Sequence, residues 1–273
     1  MPDLSVFVDY EYEIQLGANN AGAYVLDVVG SEKRVLEIGA GSGSITRRLV
    51  GINNCDVTAV EINPKSVAKL KNIVERVYQL DLNDSGWVEA ISAEGKFDVV
   101  LAADVLEHLY DPWAVIKQMT SLLNDTGSIV LSLPHVGHVA LMSAILRSDY
   151  PYQEFGLLDK THIRFFGLHN IVDMYKSVGF AVTDARFVLF GPHETEFAAD
   201  WERVSPAMRT MLSRAPHGRV YQVVTRAQRA ELVPEPLDLL AASLRAAERH
   251  PTIAPSGGRL MGFFQKLRGI FGL

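Results

Sequence analysis

The strongest constraint on the fold is a regular alternation of short apolar segments with helical segments. Two of the apolar segments, residues 97–103 and 128–133, are almost continuously apolar, which is typical of parallel strands buried on both faces. Five more segments have strand patterns, namely 34–38, 56–61, 75–80, 180–183 and 219–224. Helical patterns separate the strands. The sequence therefore predicts one doubly wound α/β domain with a mostly parallel sheet of seven strands.

One helix boundary can be predicted from local signals. Asp111 is a suitable N-cap, and Gly127 follows a turn-like sequence at residues 124–126. We therefore expect this helix to end before that turn and the next strand to start at Ser128.

The predicted domain spans residues 31–228, with a segment 1–30 before it and a helical tail 229–273 after it. Residues 147–167 follow no regular period and are rich in aromatic and charged side chains. A long irregular insertion in a compact domain is usually functional, so we interpret this segment as a lid over a substrate.

The tail contains a helical pattern at residues 237–249, a linker at residues 251–258 and an amphipathic stretch at residues 259–273. The last stretch places its apolar side chains on one helical face, flanked by Arg259, Lys266 and Arg268. Such a helix favours peripheral contact with an anionic membrane, and the alternatives are a homodimer contact or docking on the chain's own core.

Composition excludes several classes of protein. The formal net charge of −6 argues against nucleic acid as a partner, since phosphate recognition needs clustered Lys and Arg. The single cysteine, Cys55, cannot form a disulfide within the chain, so we expect a cytoplasmic protein, with the tail placing it at the inner membrane surface if it binds lipid. We find no signal peptide and no apolar run long enough to span a membrane.

A glycine-rich loop joins the first strand to the next helix. Residues 39–43 read Gly-Ala-Gly-Ser-Gly, and Glu61 ends the second strand about 20 residues later, where an acid can accept hydrogen bonds from a ribose diol. The dinucleotide pattern requires its third glycine at position 44, which is Ser44 here. Glu37 would also lie badly beside a pyrophosphate, whereas it suits a cofactor with an ammonium group. The loop therefore favours S-adenosylmethionine over NAD.

The chain resembles the class I S-adenosylmethionine-dependent methyltransferases. Residues 35–43 are similar to their first motif, residues 80–82 to their adenine-side loop, and residues 97–109 to the fourth-strand motif beside the methionine. The resemblance implies a Rossmann-like methyltransferase fold, a segment 1–30 that covers the cofactor, and cofactor contacts from Glu37, Gly39, Ala40, Gly41, Gly43, Glu61, Ile62, Asp81, Leu82, Ala103, Asp104, His108 and Tyr12.

The segment after the fifth strand resembles a branch of methyltransferases associated with cell-surface polysaccharide biosynthesis, by its pattern Leu158-Asp159-Lys160-Thr161-His162-Ile163-Arg164-Phe165-Phe166. That branch usually has Asn at the position of His135. The resemblance implies a sugar or glycan precursor as acceptor, with contacts from His135, Tyr152, Arg164 and Phe165.

Methylation of a hydroxyl benefits from a general base, because a neutral hydroxyl is a poor nucleophile. His162 or His138 is the candidate base, and Asp159 a candidate orienting carboxylate. Equally, Asp159, His162 and Arg164 could form a polar network that only holds the lid. No adjacent acid pair argues for a metal, although methylation of a sugar diol could use Mg²⁺.

Two alternative functions remain open. One is methylation of a small metabolite, such as a quinone, lipid or natural-product precursor. The other is a cofactor-binding subunit that lacks chemistry and supports a partner protein.

Overall fold

The computed structural model describes residues 12–250, which form a seven-stranded sheet in the order β3-β2-β1-β4-β5-β7-β6. The first five strands are parallel, and β7 is antiparallel to both β5 and β6. The strands are β1 (Arg34–Ile38), β2 (Asp56–Glu61), β3 (Arg76–Gln79), β4 (Phe97–Ala103), β5 (Leu123–Pro134), β6 (Phe180–Leu189) and β7 (Val220–Arg229). The prediction of a doubly wound, mostly parallel α/β sheet is confirmed.

Helices cover both faces of the sheet. They are α1 (Ala21–Val29), α2 (Ser44–Gly51), α3 (Pro64–Leu70), α4 (Trp87–Ser92), α5 (Pro112–Leu122), α6 (Val139–Leu146), α7 (Leu168–Ser177), α8 (Ala198–Arg203), α9 (Pro206–Leu212) and α10 (Leu239–Arg249). Sequence patterns missed α4, α6, α8 and α9, which are short. No helix among residues 12–250 is long and apolar enough to cross a membrane.

The apolar runs of the central strands are buried because successive side chains point to opposite faces of the sheet. In β4, Val99 and Leu101 pack with α1 and α2, whereas Val100 and Ala102 pack with α5 and α7 on the other face. All four side chains are almost fully buried. Each central strand therefore contributes to two separate cores, as its continuous hydrophobicity predicted.

The predicted turn at residues 124–126 lies inside β5 instead of before it. The pairing of β4 with β5 passes from Phe97–Leu123 to Val99–Ser128, so residues 124–127 form an irregular bulge. The side chain of Asn124 accepts a hydrogen bond from Thr126 N at 3.1 Å, as in a turn, but it also donates to Asp98. The predicted strand start at Ser128 is wrong because this contact with β4 keeps the bulge in the sheet.

His138 organises the connection after β5. It is the N-cap of α6: its Nδ1 accepts a hydrogen bond from Ala140 N at 3.2 Å. Its Nε2 faces the carbonyl oxygen of Phe190 at 3.0 Å, and because a carbonyl only accepts, Nε2 carries the proton. The side chain is fully buried, so His138 joins α6 to the end of β6.

α10 packs on β6 and α7, so residues 239–249 of the predicted tail lie against the domain. Leu239 is buried in the largest hydrophobic cluster, and Leu237 N donates to Val182 O at 2.8 Å. The amphipathic stretch 259–273 and its predicted membrane or dimer contact lie outside the described residues, as do residues 1–11.

The packing of α10 can be tested with two leucines on that helix. Leu239→Ala removes a side chain that is 1% exposed and should lower the free energy of unfolding by about 2–5 kcal/mol. Leu244→Ala, at 42% exposed, should change it by less than about 0.5 kcal/mol. Urea unfolding measures both values, and equal effects would contradict the assignment of α10 to the domain core.

The burial of His138 predicts a pH dependence of stability. Burial lowers the pKa of His138 to about 4, so the unfolded chain binds a proton below the ordinary pKa of 6.5 whereas the folded chain does not. The stability due to neutral His138 is therefore fully present above pH 6.5 and is lost as the pH falls towards 4.

We expect His138→Asn, which keeps a cap oxygen but does not titrate, to reduce the loss of stability at low pH. Its free energy of unfolding should fall by about 2–3 kcal/mol less than that of the unsubstituted chain between about pH 7 and about pH 4.5. Urea unfolding at both pH values measures this difference. Parallel pH profiles would show that His138 is not buried in its neutral form.

Candidate active site

The loop after β1 passes so close to the loop after β4 that it cannot carry a side chain at its first position. Gly39 has a φ of +67°, and a Cβ there would lie 2.5 Å from Cγ2 of Val105. β1 lies between β2 and β4, where the order of the strands reverses, and ligands of open α/β sheets bind at such a point. Gly39, Ala40, Gly41 and Gly43 thus lie where the sequence placed a cofactor.

Glu61 connects this loop to the end of β2. Its Oε2 accepts a hydrogen bond from Gly41 N and its Oε1 accepts one from Asn63 N, both at 2.8 Å. The residue is 7% exposed, so the two bonds fix the carboxylate at the crevice wall. Each carboxylate oxygen can accept a second hydrogen bond, as a ribose diol requires. Ile62 follows it and is half-buried.

Glu37 lies beneath the loop at the end of β1. It is almost fully buried, and its Oε2 accepts a hydrogen bond from the Thr46 hydroxyl at 2.7 Å. Burial, opposed by this hydrogen bond and aided by the charge of Glu61, raises the pKa of Glu37 to about 8. The groups that shift the pKa of Glu37 include no positive charge. A cation beside Glu37 would therefore be stabilised by its carboxylate.

Asp81 and Leu82 follow β3 at the same edge of the sheet. Oδ1 of Asp81 accepts a hydrogen bond from Asn83 N at 2.9 Å, which closes a tight turn, and Leu82 is buried. This arrangement places an acid and a buried apolar side chain next to each other at the carboxyl end of β3.

Asp104 lies at the end of β4 in a strained conformation. Its φ is +55°, which is uncommon for a residue with a side chain and occurs often at functional sites. Asp104 N donates to Ser132 O at 3.1 Å, and its Oδ1 accepts from Gln222 Nε2 at 2.5 Å. The preceding Ala103 is half-buried. The structure thus aims an exposed carboxylate into the crevice.

Tyr12 approaches the crevice from the N-terminal segment. Its backbone N donates to Ser44 Oγ at 3.2 Å. Burial raises the pKa of its phenol, followed by the negative charges of Asp104 and Glu37. Because 39% of the residue is exposed, solvent screens these charges. The raised pKa therefore shows only that Asp104 and Glu37 lie near the phenol.

Glu107 is completely buried in the short 3₁₀ turn that follows Asp104. Neither of its carboxylate oxygens has a hydrogen-bond partner within residues 12–250. Burial raises the pKa of Glu107 well above its usual value, and the charges of Asp104 and Asp159 raise it further. An unpartnered buried carboxylate costs free energy, so the position of Glu107 requires an explanation.

The predicted lid docks on this turn through its backbone. Ile163 N and Arg164 N both donate to the carbonyl oxygen of Glu107, at 2.9 and 3.0 Å. This contact brings His162 over Glu107, with His162 Nε2 and Glu107 Oε1 4.0 Å apart. The rings of His108 and His162 meet edge to face with their centroids 4.8 Å apart.

Hydrogen bonds define the tautomers of both histidines. Nδ1 of His108 faces Thr161 O at 3.2 Å, and Nδ1 of His162 faces Leu157 O at 3.3 Å. Both partners are carbonyls, so each Nδ1 carries the proton and each Nε2 presents a lone pair. Burial, with a smaller contribution from the nearby His108, lowers the pKa of His162 to about 4, and burial also lowers the pKa of His108, so both rings are neutral.

Asp159 supports this cluster through Thr161. Its Oδ1 accepts hydrogen bonds from Thr161 N at 2.8 Å and from the Thr161 hydroxyl at 2.6 Å. The same hydroxyl lies 3.0 Å from Nδ1 of His108. Asp159 is 3% exposed, so it orients Thr161 and, through it, His108. Sequence analysis offered two roles for Asp159, an orienting carboxylate and a member of a polar network that holds the lid. The hydrogen bonds through Thr161 are compatible with both roles.

The geometry does not support His138 as a base. Both of its ring nitrogens are engaged by backbone groups, which leaves no lone pair to accept a proton. His135, a predicted substrate contact, is 5% exposed, and its Nδ1 bonds to Val220 O at 3.1 Å. Burial lowers the pKa of His135 to about 4 as well. His135 joins the end of β5 to β7, and His138 joins α6 to the end of β6.

The other three predicted substrate contacts lie in the lid. Tyr152 is 63% exposed and Phe165 is 39% exposed, and both rings meet Tyr150 edge to face. Arg164 Nη2 donates to Tyr110 O at 2.5 Å, and its Nε is buried without a partner among the described residues. The lid thus presents aromatic rings at its surface.

The lid is also held from below. Leu157 N donates to Glu196 Oε1 at 2.7 Å, and the hydroxyl of Tyr221 donates to the same carboxylate. Leu157 and Leu158 are buried with Phe197. Sequence reasoning missed Glu196 and Gln222, which act through tertiary contacts, and no local pattern marks them. It quoted Thr161 within the lid pattern but assigned it no role.

Comparison with known proteins identifies the family to which this chain is similar. Residues 14–185 match the family model described as a methyltransferase domain. Ubiquinone biosynthesis O-methyltransferases from Xanthomonas campestris and Azotobacter vinelandii are each 33% identical to this chain, over 121 and 122 residues. These alignments cover 43% of this chain and 49% and 51% of the relatives, so the chain spans about half the length of the curated relatives that it matches.

Solved structures show the same fold at low sequence identity. A putative methyltransferase from Bacillus halodurans aligns with a TM-score of 0.53 at 12% identity, over 76% of this chain and 98% of that chain. A possible histamine N-methyltransferase from Thermotoga maritima aligns with a TM-score of 0.51 at 18% identity, over 77% and 89%. The family model covers more than half of the chain, and the chain therefore belongs to the methyltransferase-domain family.

Proposed function

We propose that this chain is an S-adenosylmethionine-dependent O-methyltransferase that acts on a hydroxyl group of a small acceptor. The observation that carries the proposal is the position of Glu107, His108 and His162 beside Asp104, which borders the cofactor crevice. A fixed acidic crevice and a buried cluster of lone pairs thus lie side by side.

The crevice fits the cofactor in charge and in shape. Glu61 would accept hydrogen bonds from the ribose hydroxyls, and Asp81 would accept one from the adenine amino group. Glu37 and Asp104 would face the ammonium end, and Tyr12 would cover it. Gly39 allows the loop to pack against Val105, because a Cβ there would meet that side chain. When bound, S-adenosylmethionine supplies a methyl group on a positively charged sulfur.

The cluster can remove the proton of the acceptor hydroxyl. His162 Nε2 has a lone pair, and the bond from its Nδ1 to Leu157 O fixes the direction of that lone pair. After it accepts a proton, the imidazolium lies beside the carboxylate of Glu107, which stabilises the positive charge. His162 is therefore the proposed base, and Glu107 its charge partner.

The acceptor is proposed to be a phenolic hydroxyl of a ring compound. The names of the curated relatives refer to ubiquinone biosynthesis, and the lid presents Tyr150, Tyr152 and Phe165, which can pack on a ring. A sugar or glycan precursor is the second candidate, since the sequence of the lid resembles the polysaccharide-associated branch.

Cofactor binding provides the first test. Glu61→Gln cannot accept hydrogen bonds through both side-chain atoms, so the Kd of S-adenosylhomocysteine should rise at least about tenfold. Glu75→Gln, an exposed acid just before β3, is the matched control and should not change that Kd. Calorimetry with S-adenosylhomocysteine and with NAD measures this. Binding of NAD, or an unchanged Kd in Glu61→Gln, would refute the proposed cofactor site.

Methyl transfer provides the second test, with catechol-type phenols and nucleotide sugars as acceptors. His162→Gln should lower kcat by about 10²–10⁴ with an unchanged Kd for S-adenosylhomocysteine, because it removes the base and not the crevice. His193→Gln, at an exposed histidine, is the control. Tight cofactor binding without transfer to either acceptor class would favour the non-catalytic alternative.

A further inference from the structure

The cluster formed by Glu107, His108 and His162 collects electron pairs at one buried point. One ligand atom from each residue, two imidazole nitrogens and a carboxylate oxygen, lies within 4.8 Å of the other two. Glu107 is 0% exposed, and neither of its oxygens has a hydrogen-bond partner within residues 12–250. Three electron-pair donors that face each other repel unless a positive species lies between them.

The protonation state of the two histidines shows that neither ring donates a hydrogen bond to Glu107. Thr161 O and Leu157 O hold the protons on Nδ1 of His108 and of His162. Both Nε2 atoms are therefore acceptors, and neither can donate a hydrogen bond to Glu107. A neutral histidine that donates one ring N–H to a carbonyl and offers the other nitrogen is the usual state of a metal ligand.

We propose that Glu107, His108 and His162 bind a divalent metal cation. Two imidazoles and one carboxylate suit Zn²⁺, Fe²⁺ or Mn²⁺ better than Ca²⁺, which takes oxygen ligands. Metal–ligand bonds of about 2.0–2.2 Å require donor atoms roughly 3.5 Å apart. The separation of 4.0 Å between His162 Nε2 and Glu107 Oε1 closes to that value by a small rotation of either side chain.

The surrounding contacts hold the three side chains in place for this purpose. Asp159 fixes Thr161, and Thr161 fixes the ring of His108. The backbone of the lid is tied to the carbonyl oxygen of Glu107, so His162 cannot leave without breaking two hydrogen bonds. No local sequence pattern indicated a metal, because these donors come from two segments that are far apart in the chain.

Three protein ligands leave coordination positions open for the acceptor. This step rests on the proposed function: two adjacent oxygens of a catechol or a sugar diol would bind the cation, which lowers the pKa of the hydroxyl to be methylated. With the cation bound, the hydroxyl proton leaves to solvent and the lone pair of His162 binds the metal. The role of His162 as a base then applies to the metal-free protein. The acceptor would therefore be a compound with two neighbouring oxygens.

Metal binding can be measured without any acceptor. The full chain, treated with chelator and dialysed, is titrated with Mn²⁺ and followed by electron paramagnetic resonance. We expect one Mn²⁺ per chain, nitrogen couplings from imidazole ligands, and displacement by Zn²⁺ but not by Ca²⁺. Glu107→Gln and His162→Ala should each weaken binding at least about tenfold. Glu154→Gln, at an exposed lid acid paired with Lys160, should bind as the unsubstituted chain does.

The unsubstituted chain alone can overturn the proposal. Absence of saturable Mn²⁺ and Zn²⁺ binding would show that the cluster holds only a proton, shared between Glu107 and His162. Equal binding by Glu107→Gln and His162→Ala would place the metal elsewhere. Calorimetry with S-adenosylhomocysteine on the same samples shows that the variants are folded. It also separates the two proposals, since a chain that binds the cofactor but no metal refutes only the metal site.

Discussion

The burial of Glu107 is the constraint on which the site depends. Its side chain lies in the protein interior without a hydrogen-bond partner, while its backbone carbonyl accepts two hydrogen bonds from the lid. Such a carboxylate costs several kcal/mol unless a positive species accompanies it. The turn after β4 can therefore be stable in the working protein only if the site takes up a cation or a proton. Because the lid backbone is hydrogen-bonded to Glu107, the stability of the lid depends on that cation or proton.

The fold could be predicted from the sequence because its central strands are buried on both faces. β4 and the second half of β5 are continuous apolar runs, and the positions of the glycine loop and Glu61 follow from them. The outer strands β6 and β7 were predicted too short. Their additional residues are partly polar and pair with each other, so their length depends on antiparallel pairing and not on local pattern.

Most of the predicted cofactor residues lie at or just after the ends of strands, which local patterns can locate. The acceptor side was not accessible to sequence reasoning in this way. His138 and His162 are the same type of residue in neighbouring segments, and both were candidate bases. The structure separates them by a single feature: Ala140 N occupies the second nitrogen of His138, whereas His162 Nε2 faces Glu107. No pattern in a sequence records which nitrogen of a histidine meets a backbone amide.

The same argument decides what the acceptor must supply. A base alone needs one hydroxyl, and a single lone pair on His162 would be sufficient for it. The protein instead brings together two neutral imidazoles and a carboxylate, and uses Asp159 and Thr161 to orient His108, which a one-base mechanism does not require. In a mechanism with His162 as the base and Glu107 as its charge partner, His108 Nε2 has no role, so its presence favours an acceptor that meets all three groups at once. Two adjacent oxygens bridged by a cation satisfy that condition, and a lone hydroxyl does not.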